Sequence, residues 1–195
     1  MYASDMSRTA TEPDVFKGST RDFHREYVLG RKLGEGSFGA VYCASTAGRH
    51  EEDVAVKVVD PRAKDDDGRR LSTIDRVIQR TIEREVAILQ TLPKSDNIVQ
   101  FHGLFVSAGF VYMVMEKCST GLLSILERVP NLTESTFKPM FRDMLSGIAA
   151  CHAVGIVHRD VKADNFLVMT RASTSSFCVK LSDFGLAGRV STPEA

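Results

Sequence analysis

The sequence predicts an α+β protein organised in two lobes, and two observations support this fold class. Short β-branched runs bounded by turn residues dominate the first half and surround one amphipathic helix pattern. After residue 116, apolar residues recur at spacings of three and four, which is typical of helices. Strands and helices segregated in this way favour two layers, so we place the boundary between the lobes at about residues 116–121.

Five strands are predicted in the first half, and we expect them to form one antiparallel sheet. Their predicted positions are residues 27–33, 40–44, 54–59, 98–104 and 110–115. The charged stretch at 62–70 is predicted to be a solvated loop. Residues 1–22 are polar and lack periodicity, which predicts a disordered tail preceding a domain at 23–195.

Helix signals bracket three further segments. Ser72 to Asp75 resembles a capping box with Asp in place of Glu, and Pro93 marks the end of the apolar stripe that follows. A short helix is predicted over residues 121–127 and a longer one over 133–154. The longer helix has an apolar face built from Phe137, Phe141, Leu145, Ile148 and Ala149. A polar loop is predicted at 170–176, between two short strands.

Composition excludes several classes of function. The 195 residues have a formal net charge of +0, so no overall field favours nucleic acid or an anionic membrane. The longest apolar run, residues 105–115, is too short to span a bilayer. The cysteines are far apart and lack zinc-site spacing, which favours reduced thiols. We therefore expect a cytoplasmic location, with the nucleus also compatible.

A glycine cluster lies between the first two predicted strands. Gly34, Gly36, Gly39 and Val41 fit the pattern Gly-x-Gly-x-x-Gly-x-Val. Such a triplet is often only a tight turn, and a dinucleotide-binding turn would lead from a parallel strand into a helix. Here it joins two strands of a hairpin, where backbone N–H groups could approach a triphosphate because no Cβ blocks them.

Lys57 and Glu85 form a candidate ion pair. Lys57 lies at the end of an apolar strand, a position that is often simply exposed. Glu85 falls on the apolar stripe of the first helix, where an unpaired carboxylate would have to reach water. Next to the glycine cluster, the pattern favours a lysine that binds phosphates and is held by a carboxylate.

The second half contains the most specific motif. Residues 158–165 fit His-Arg-Asp-x-x-x-x-Asn, through His158, Arg159, Asp160 and Asn165, and 183–185 read Asp-Phe-Gly. Together with the glycine cluster and Lys57, these motifs resemble those of eukaryotic-type protein kinases over roughly residues 27–190. The resemblance implies an N-lobe at about 23–115 with a five-stranded sheet and one regulatory helix. It further implies a hinge at about 116–121 and a helical, incomplete C-lobe at 122–195.

The resemblance assigns roles to the charged residues of these motifs. Asp160 would be the catalytic base, and Lys162 would offset charge on the transferred phosphate. Asn165 and Asp183 would bind Mg²⁺, a cation that prefers oxygen ligands. Lys162 at its position is similar to serine/threonine kinases rather than tyrosine kinases. Implied partners are thus ATP and a protein substrate with Ser or Thr, with no nucleic acid and no membrane span.

The resemblance also implies an adenine pocket. Met115 would lie at its back, and the backbones of Glu116 and Cys118 would bind the adenine ring. Apolar contacts around the nucleotide would come from Leu33, Val41, Ala55 and Leu167. Leu89, Phe101, His158 and Phe184 would form an apolar column between the lobes, although ordinary core packing explains the same residues. His158 is then a structural histidine rather than a base.

An activation segment ending in Ala-Pro-Glu and further helices would normally follow Asp-Phe-Gly, but the sequence ends at Ala195. About 100 residues, the size of a small domain, would then be missing, and the sequence is compatible with either a fragment or a short product. The helix at 133–154 would then expose its apolar face, which a partner could cover. Arg159 would bind a phosphate on the activation segment, with Ser191 and Thr192 as candidate acceptors.

Three functions remain open on the sequence. The first is an ATP-dependent serine/threonine protein kinase. The second is a pseudokinase-like nucleotide-binding or interaction module without turnover. The third is a structural module with relic motifs, against which the intact Lys57, Glu85, Asp160, Asn165 and Asp183 argue.

Overall fold

The computed structural model describes residues 22–36, 39–49, 53–128, 133–170 and 177–190. Residues 1–21 of the predicted tail, residues 171–176 of the predicted loop at 170–176, and the candidate acceptors Ser191 and Thr192 lie outside these ranges. A helix α1 (Phe23–Glu26) begins the described chain, and its Phe23 is buried against Tyr112, with the two ring centroids 4.2 Å apart.

A five-stranded antiparallel sheet forms the first half, which confirms the predicted fold class. Its strands lie in the order β1-β2-β3-β7-β6. Their bounds are β1 (Tyr27–Gly36), β2 (Gly39–Thr46), β3 (Val54–Val59), β6 (Phe101–Ser107) and β7 (Phe110–Glu116). Strand β6 begins later than predicted, because Ile98 and Val99 contact the second half instead. Ile98 forms a parallel bridge with Leu181, and the Val99 N–H donates to the Leu181 carbonyl.

The predicted solvated loop at 62–70 is wrong in part, since it belongs to a second antiparallel pair. Strands β4 (Arg62–Lys64) and β5 (Arg70–Ile74) flank the turn. Asp60 accepts hydrogen bonds from the Arg62 guanidinium at 2.8 and 2.9 Å and lies 3.2 Å from Arg70 Nε. One carboxylate therefore connects both strands, a compensation of charge that composition alone does not reveal.

The predicted capping box is wrong as well. Helix α2 (Arg76–Leu89) begins after Asp75, whose side chain accepts hydrogen bonds from the N–H groups of Val77 and Ile78. Ser72 lies in β5 instead. The helix start moves because Asp75 has extended backbone angles suited to an N-cap, while the hairpin holds the preceding residues in a strand.

In the part of the second half that the structure describes, the chain forms two helices, a 3₁₀ turn and short strands. The helices are α3 (Leu122–Arg128) and α4 (Glu134–Ala153), and the 3₁₀ turn is Ala163–Asn165. The strands are β8 (Thr120–Gly121), β9 (Ile156–Val157), β10 (Phe166–Thr170), β11 (Phe177–Leu181) and β12 (Gly188–Arg189). Strands β8, β10 and β11 form one sheet, and β9 pairs with β12. No helix in the described ranges is long and apolar enough to cross a membrane.

One continuous core extends through both halves. It contains α2 residues such as Ile82 and Leu89, Met113 of β7, and Phe166 and Leu181 from the second half. Helix α4 packs one face against this core through Met140, Gly147 and Cys151. Its other face exposes Phe137, Phe141 and Leu145 by 40, 47 and 51%, so the predicted apolar face is open in the structure.

The cap of α2 provides a test of its start. Replacing Asp75 by Ala removes the acceptor for two N–H groups and should lower the free energy of unfolding by about 1 kcal/mol. Ser72→Ala is the matched control and should change it by less than about 0.5 kcal/mol, because Ser72 is exposed in β5. Urea denaturation measures both. A larger loss for Ser72→Ala than for Asp75→Ala would contradict this helix start.

Candidate active site

Lys57 and Glu85 form a buried ion pair between the sheet and helix α2. Lys57 Nζ lies 2.6 and 2.8 Å from the two carboxylate oxygens of Glu85. The two residues are only 9% and 4% exposed, so neither charge could be held there without its partner. The lysine is inside β3 rather than at its end, between Val41 on β2 and Met113 on β7.

Asp183 approaches the same lysine from the second half. Its Oδ1 lies 3.8 Å from Lys57 Nζ, and its side chain is 53% exposed. The residue has φ of +56°, a left-handed conformation that is rare for residues other than glycine. Lys57 is thus the cation on which one buried and one exposed carboxylate converge.

Asp160 lies within a second cluster. Lys162 Nζ is 2.9 Å from Asp160 Oδ2, and the Asn165 amide donates to the same oxygen at 2.9 Å and to the Asp160 carbonyl at 2.8 Å. The hydrogen bond from Lys162, followed by that from Asn165, lowers the pKa of Asp160. The same contact with Asp160 raises the pKa of Lys162. At neutral pH this cluster therefore presents an ionised carboxylate and a protonated lysine.

His158 fixes the position of this loop from the interior. It is 2% exposed, and its ring centroid lies 4.9 Å from that of Phe184. Its Nδ1 accepts the N–H of Asp160 at 3.3 Å, which leaves Nε2 to donate to the Ser182 carbonyl at 2.9 Å. This arrangement fits a structural histidine that connects the loop to the residue before Asp183.

The face of the sheet that carries Lys57 brings four of the predicted nucleotide contacts together. Directly opposed residues share a face of a sheet. Val41 is opposite Lys57, and Ala55 is opposite Met115, so the alternation along β3 places all four side chains on one face. Leu167 is half-buried on β10, opposite Gly121 of β8.

The glycine cluster forms the tip of the β1–β2 hairpin, as predicted. Gly36 pairs with Gly39, while residues 37 and 38 lie outside the described ranges. A Cβ on Gly39 would lie 2.1 Å from the Val58 carbonyl, so β2 approaches β3 as only glycine permits. A Cβ on Gly34 would meet open space, and Leu33 beside it is 39% exposed.

The connection between the halves begins with Glu116 at the end of β7. Its N–H donates to the Gln100 carbonyl at 2.8 Å. The Glu116 backbone can therefore bind a ligand only by accepting a hydrogen bond at its carbonyl oxygen. Cys118 is half-buried. Burial, followed by the charge of Glu116, raises the pKa of the Cys118 thiol to about 12.

These elements agree with a match to a known family. The family model for the protein kinase domain matches residues 27–195. The chain belongs to the protein kinase family. The glycine cluster, Lys57 and the motifs at 158–165 and 183–185 all lie within the matched residues.

The curated relatives are similar along most of this chain. "Calcium/calmodulin-dependent serine/threonine-protein kinase 1" of Oryza sativa subsp. japonica is 38% identical over 91% of the chain and 28% of its own length. "CDPK-related kinase 8" of Arabidopsis thaliana is 35% identical over 91% of the chain and 28% of its own length. "Testis-specific serine/threonine-protein kinase 3" of Mus musculus is 35% identical over 83% and 54%. The chain thus spans between 28% and 54% of the length of these relatives.

The residues of this kinase domain fit a bound Mg²⁺. The Asn165 amide nitrogen is committed to Asp160, which leaves its side-chain oxygen for a cation. Ser182, next to Asp183, donates through its N–H and its hydroxyl to the Asn165 carbonyl. The two candidate Mg²⁺ ligands, Asn165 and Asp183, are therefore held close together. The described residues contain no cluster of three or more His, Cys, Asp or Glu side chains that could hold a metal. Mg²⁺ commonly binds one or two protein oxygens and takes its other ligands from phosphates and water.

Arg159 makes contacts that the sequence did not predict. Its guanidinium donates to the carbonyls of Leu186 and Ala187 at 2.6 and 2.8 Å. A Cβ on Gly188 would lie 2.8 Å from the guanidinium carbon, so a larger residue there would displace the Arg159 side chain. No sequence signal distinguishes Gly188 from an ordinary loop glycine. The predicted phosphate partners of Arg159 lie outside the described residues.

The raised pKa of Cys118 predicts slow alkylation. At pH 8 a thiol of pKa about 12 is almost wholly protonated, whereas an ordinary thiol of pKa about 8.5 is partly ionised. Because the thiolate is the nucleophile, iodoacetamide should modify Cys118 about a thousandfold more slowly in the folded chain than in urea. The rate should rise about tenfold between pH 8 and 9. Mass spectrometry of the Cys118 peptide follows the reaction, and a folded rate within tenfold of the unfolded rate would contradict the prediction.

Proposed function

We propose that this protein transfers the γ-phosphoryl group of ATP to Ser or Thr hydroxyls of proteins. The observation that carries the proposal is the convergence of Glu85 and Asp183 on Lys57. This places a fixed cation beside an exposed carboxylate, the combination needed to bind phosphates and a divalent cation. The Asp160–Lys162–Asn165 cluster supplies the groups for transfer next to Asp183.

The residues act by positioning and electrostatics. Lys57 binds the α- and β-phosphates, and Asn165 and Asp183 would hold Mg²⁺, which when bound neutralises charge on the phosphates. Asp160 orients the substrate hydroxyl and accepts its proton as the oxygen bonds to the γ-phosphorus. The bond from that phosphorus to the β-phosphate oxygen breaks, and ADP leaves. Lys162 offsets the charge on the transferred group.

Selectivity for Ser and Thr is supported by two observations. Lys162, a residue type that at this position resembles serine/threonine kinases, lies 2.9 Å from Asp160. The rice and mouse relatives are named serine/threonine-protein kinases. An acidic hydroxyl is not required, because Asp160 is ionised at neutral pH and can accept the proton of an aliphatic alcohol as the new bond forms.

A second candidate is a module that binds nucleotide and a partner protein without turnover. The open apolar face of α4 favours it, because Phe137 and Phe141 stack there with their ring centroids 6.1 Å apart while remaining exposed. Exposed aromatic pairs of this kind are typical of protein contacts. A partner covering this face would also be compatible with an active kinase.

Asp160→Asn tests phosphoryl transfer. It keeps the size of the side chain but removes the base, so transfer of ³²P from ATP to a basic protein should fall at least about a hundredfold. Phosphoamino-acid analysis of the wild-type product should yield phosphoserine or phosphothreonine. Wild-type protein that binds Mg-ATP but transfers nothing would favour the second candidate. Equal rates for the two proteins would contradict the role of Asp160.

Lys57→Met tests nucleotide binding separately. A ligand at 100 times its dissociation constant stabilises the folded state by about 2.7 kcal/mol, so Mg-ATP should raise the melting temperature of the wild-type protein by several degrees. The shift should be lost in Lys57→Met because the phosphates lose their cation. Lys94→Met, which changes an exposed lysine, should retain it. A full shift in Lys57→Met would contradict the site.

A further inference from the structure

Lys180 is a buried charge that the catalytic machinery described above does not use. It lies in β11, between the fully buried Val179 and Leu181, and is only 5% exposed. Lysine is seldom buried to this extent unless it is paired, because removing its charge from water is costly. Its presence in an apolar strand therefore requires a specific partner.

That partner is Glu116, the last residue of β7. Lys180 Nζ lies 3.2 Å from Glu116 Oε2, and the side chains of the two residues are 7% and 20% exposed. The same Oε2 accepts the Gln100 N–H at 3.1 Å, while the Glu116 N–H donates to the Gln100 carbonyl. Glu116 is thus held through its backbone and its carboxylate, and among the described residues Lys180 is its only ion-pair partner.

Lys180 itself is part of a firmly anchored strand. The Leu181 N–H donates to the Asn97 carbonyl at 2.9 Å, and the Val99 N–H donates to the Leu181 carbonyl at 2.9 Å. Lys180 is also directly opposite Leu167, the residue expected below the nucleotide. The ion pair therefore joins this part of the second half to Glu116, the residue whose backbone the resemblance to kinases expects to bind adenine.

We propose that Lys180 is a positioning residue for adenine recognition. By holding the Glu116 carboxylate, it fixes the backbone of Glu116, whose carbonyl accepts a hydrogen bond from the 6-amino group of adenine. This inference rests on the proposed function, because it needs ATP in the cleft. It assigns to Lys180 a contribution to nucleotide affinity and to preference for an amino group at that ring position, without contact between Lys180 and the nucleotide.

The surrounding contacts separate this role from general stabilisation. Backbone hydrogen bonds between 97–99 and Leu181 connect the same two regions and do not involve either charged side chain. These bonds remain when Lys180 is changed, so the fold persists. What changes is the restraint on Glu116 at the end of β7. Its carboxylate then keeps the hydrogen bond from the Gln100 N–H, while its backbone keeps the pairing with Val54 and the hydrogen bond to the Gln100 carbonyl.

Adenosine is the probe that isolates this effect, since it has no phosphates for Lys57 or Lys162 to bind. In Lys180→Met, the dissociation constant for adenosine should rise about tenfold, the loss expected for one hydrogen bond to a neutral carbonyl. KM for ATP should rise by a similar factor while kcat changes less than about threefold, because the transfer residues are untouched. Lys180→Arg, which keeps the charge, should recover most of the affinity.

Two further variants make the test specific. Glu116→Gln keeps an oxygen for the Gln100 N–H but removes the ion pair, so it should weaken adenosine binding as Lys180→Met does. The double variant should be no weaker than either single variant, because both remove the same interaction. The exposed Lys94→Met is the matched control and should bind adenosine like the wild-type protein. If Lys180→Met does not fold, Glu116→Gln and Lys180→Arg decide the question.

The outcomes distinguish this inference from the proposed function. Unchanged adenosine affinity in Lys180→Met and Glu116→Gln, even with a lowered melting temperature, overturns the inference and leaves the proposed function standing. Wild-type protein that binds neither Mg-ATP nor adenosine overturns both. A rise in adenosine dissociation constant in the two single variants, with recovery in Lys180→Arg, supports the positioning role.

Discussion

The buried ion pair between Lys57 and Glu85 is the interaction on which the site depends. Each residue belongs to a different element, the central strand β3 and helix α2, and neither would be tolerated in the core alone. Pairing Lys57 with Glu85 therefore fixes the position of helix α2 on the sheet. Asp183 completes the arrangement from the second half, so its position depends on the same cation.

A shared apolar core and backbone hydrogen bonds connect the two halves of the protein. The core passes from α2 and β7 into β10 and β11, and backbone hydrogen bonds join residues 97–99 to Leu181. His158 extends this connection to the catalytic loop through Asp160 and Ser182. The polar groups of the site are thus fixed by buried neighbours on elements that are themselves restrained, which is the requirement for catalysis by positioning.

Much of the fold and site could be predicted from the sequence because the motifs carry physical constraints. Short β-branched runs bounded by turn residues predicted the five-stranded sheet. Glu85 on an apolar stripe, considered together with Lys57 and the glycine cluster, predicted the ion pair. The start of α2 could not be predicted in this way. Ser72 and Asp75 can both cap a helix, and only the structure shows that Ser72 lies in strand β5 while Asp75 is the N-cap. Lys180 carried a signal, a lone charge in an apolar strand, but its partner Glu116 is distant in sequence and could be identified only in three dimensions. Nothing in the sequence indicated the close contact between Gly188 and Arg159. The lobe boundaries and the individual roles of the site residues stay predictions.

Asp183 illustrates how such a site limits the stability of its own fold. A residue other than glycine with φ of +56° holds strain of about 1–3 kcal/mol, which the surrounding contacts must offset. Glycine would relieve that strain and would at the same time remove the carboxylate beside Lys57. Selection for thermal robustness alone would therefore favour the substitution that erodes the chemistry. The aspartate at this position therefore gives up backbone stability in exchange for a carboxylate beside Lys57.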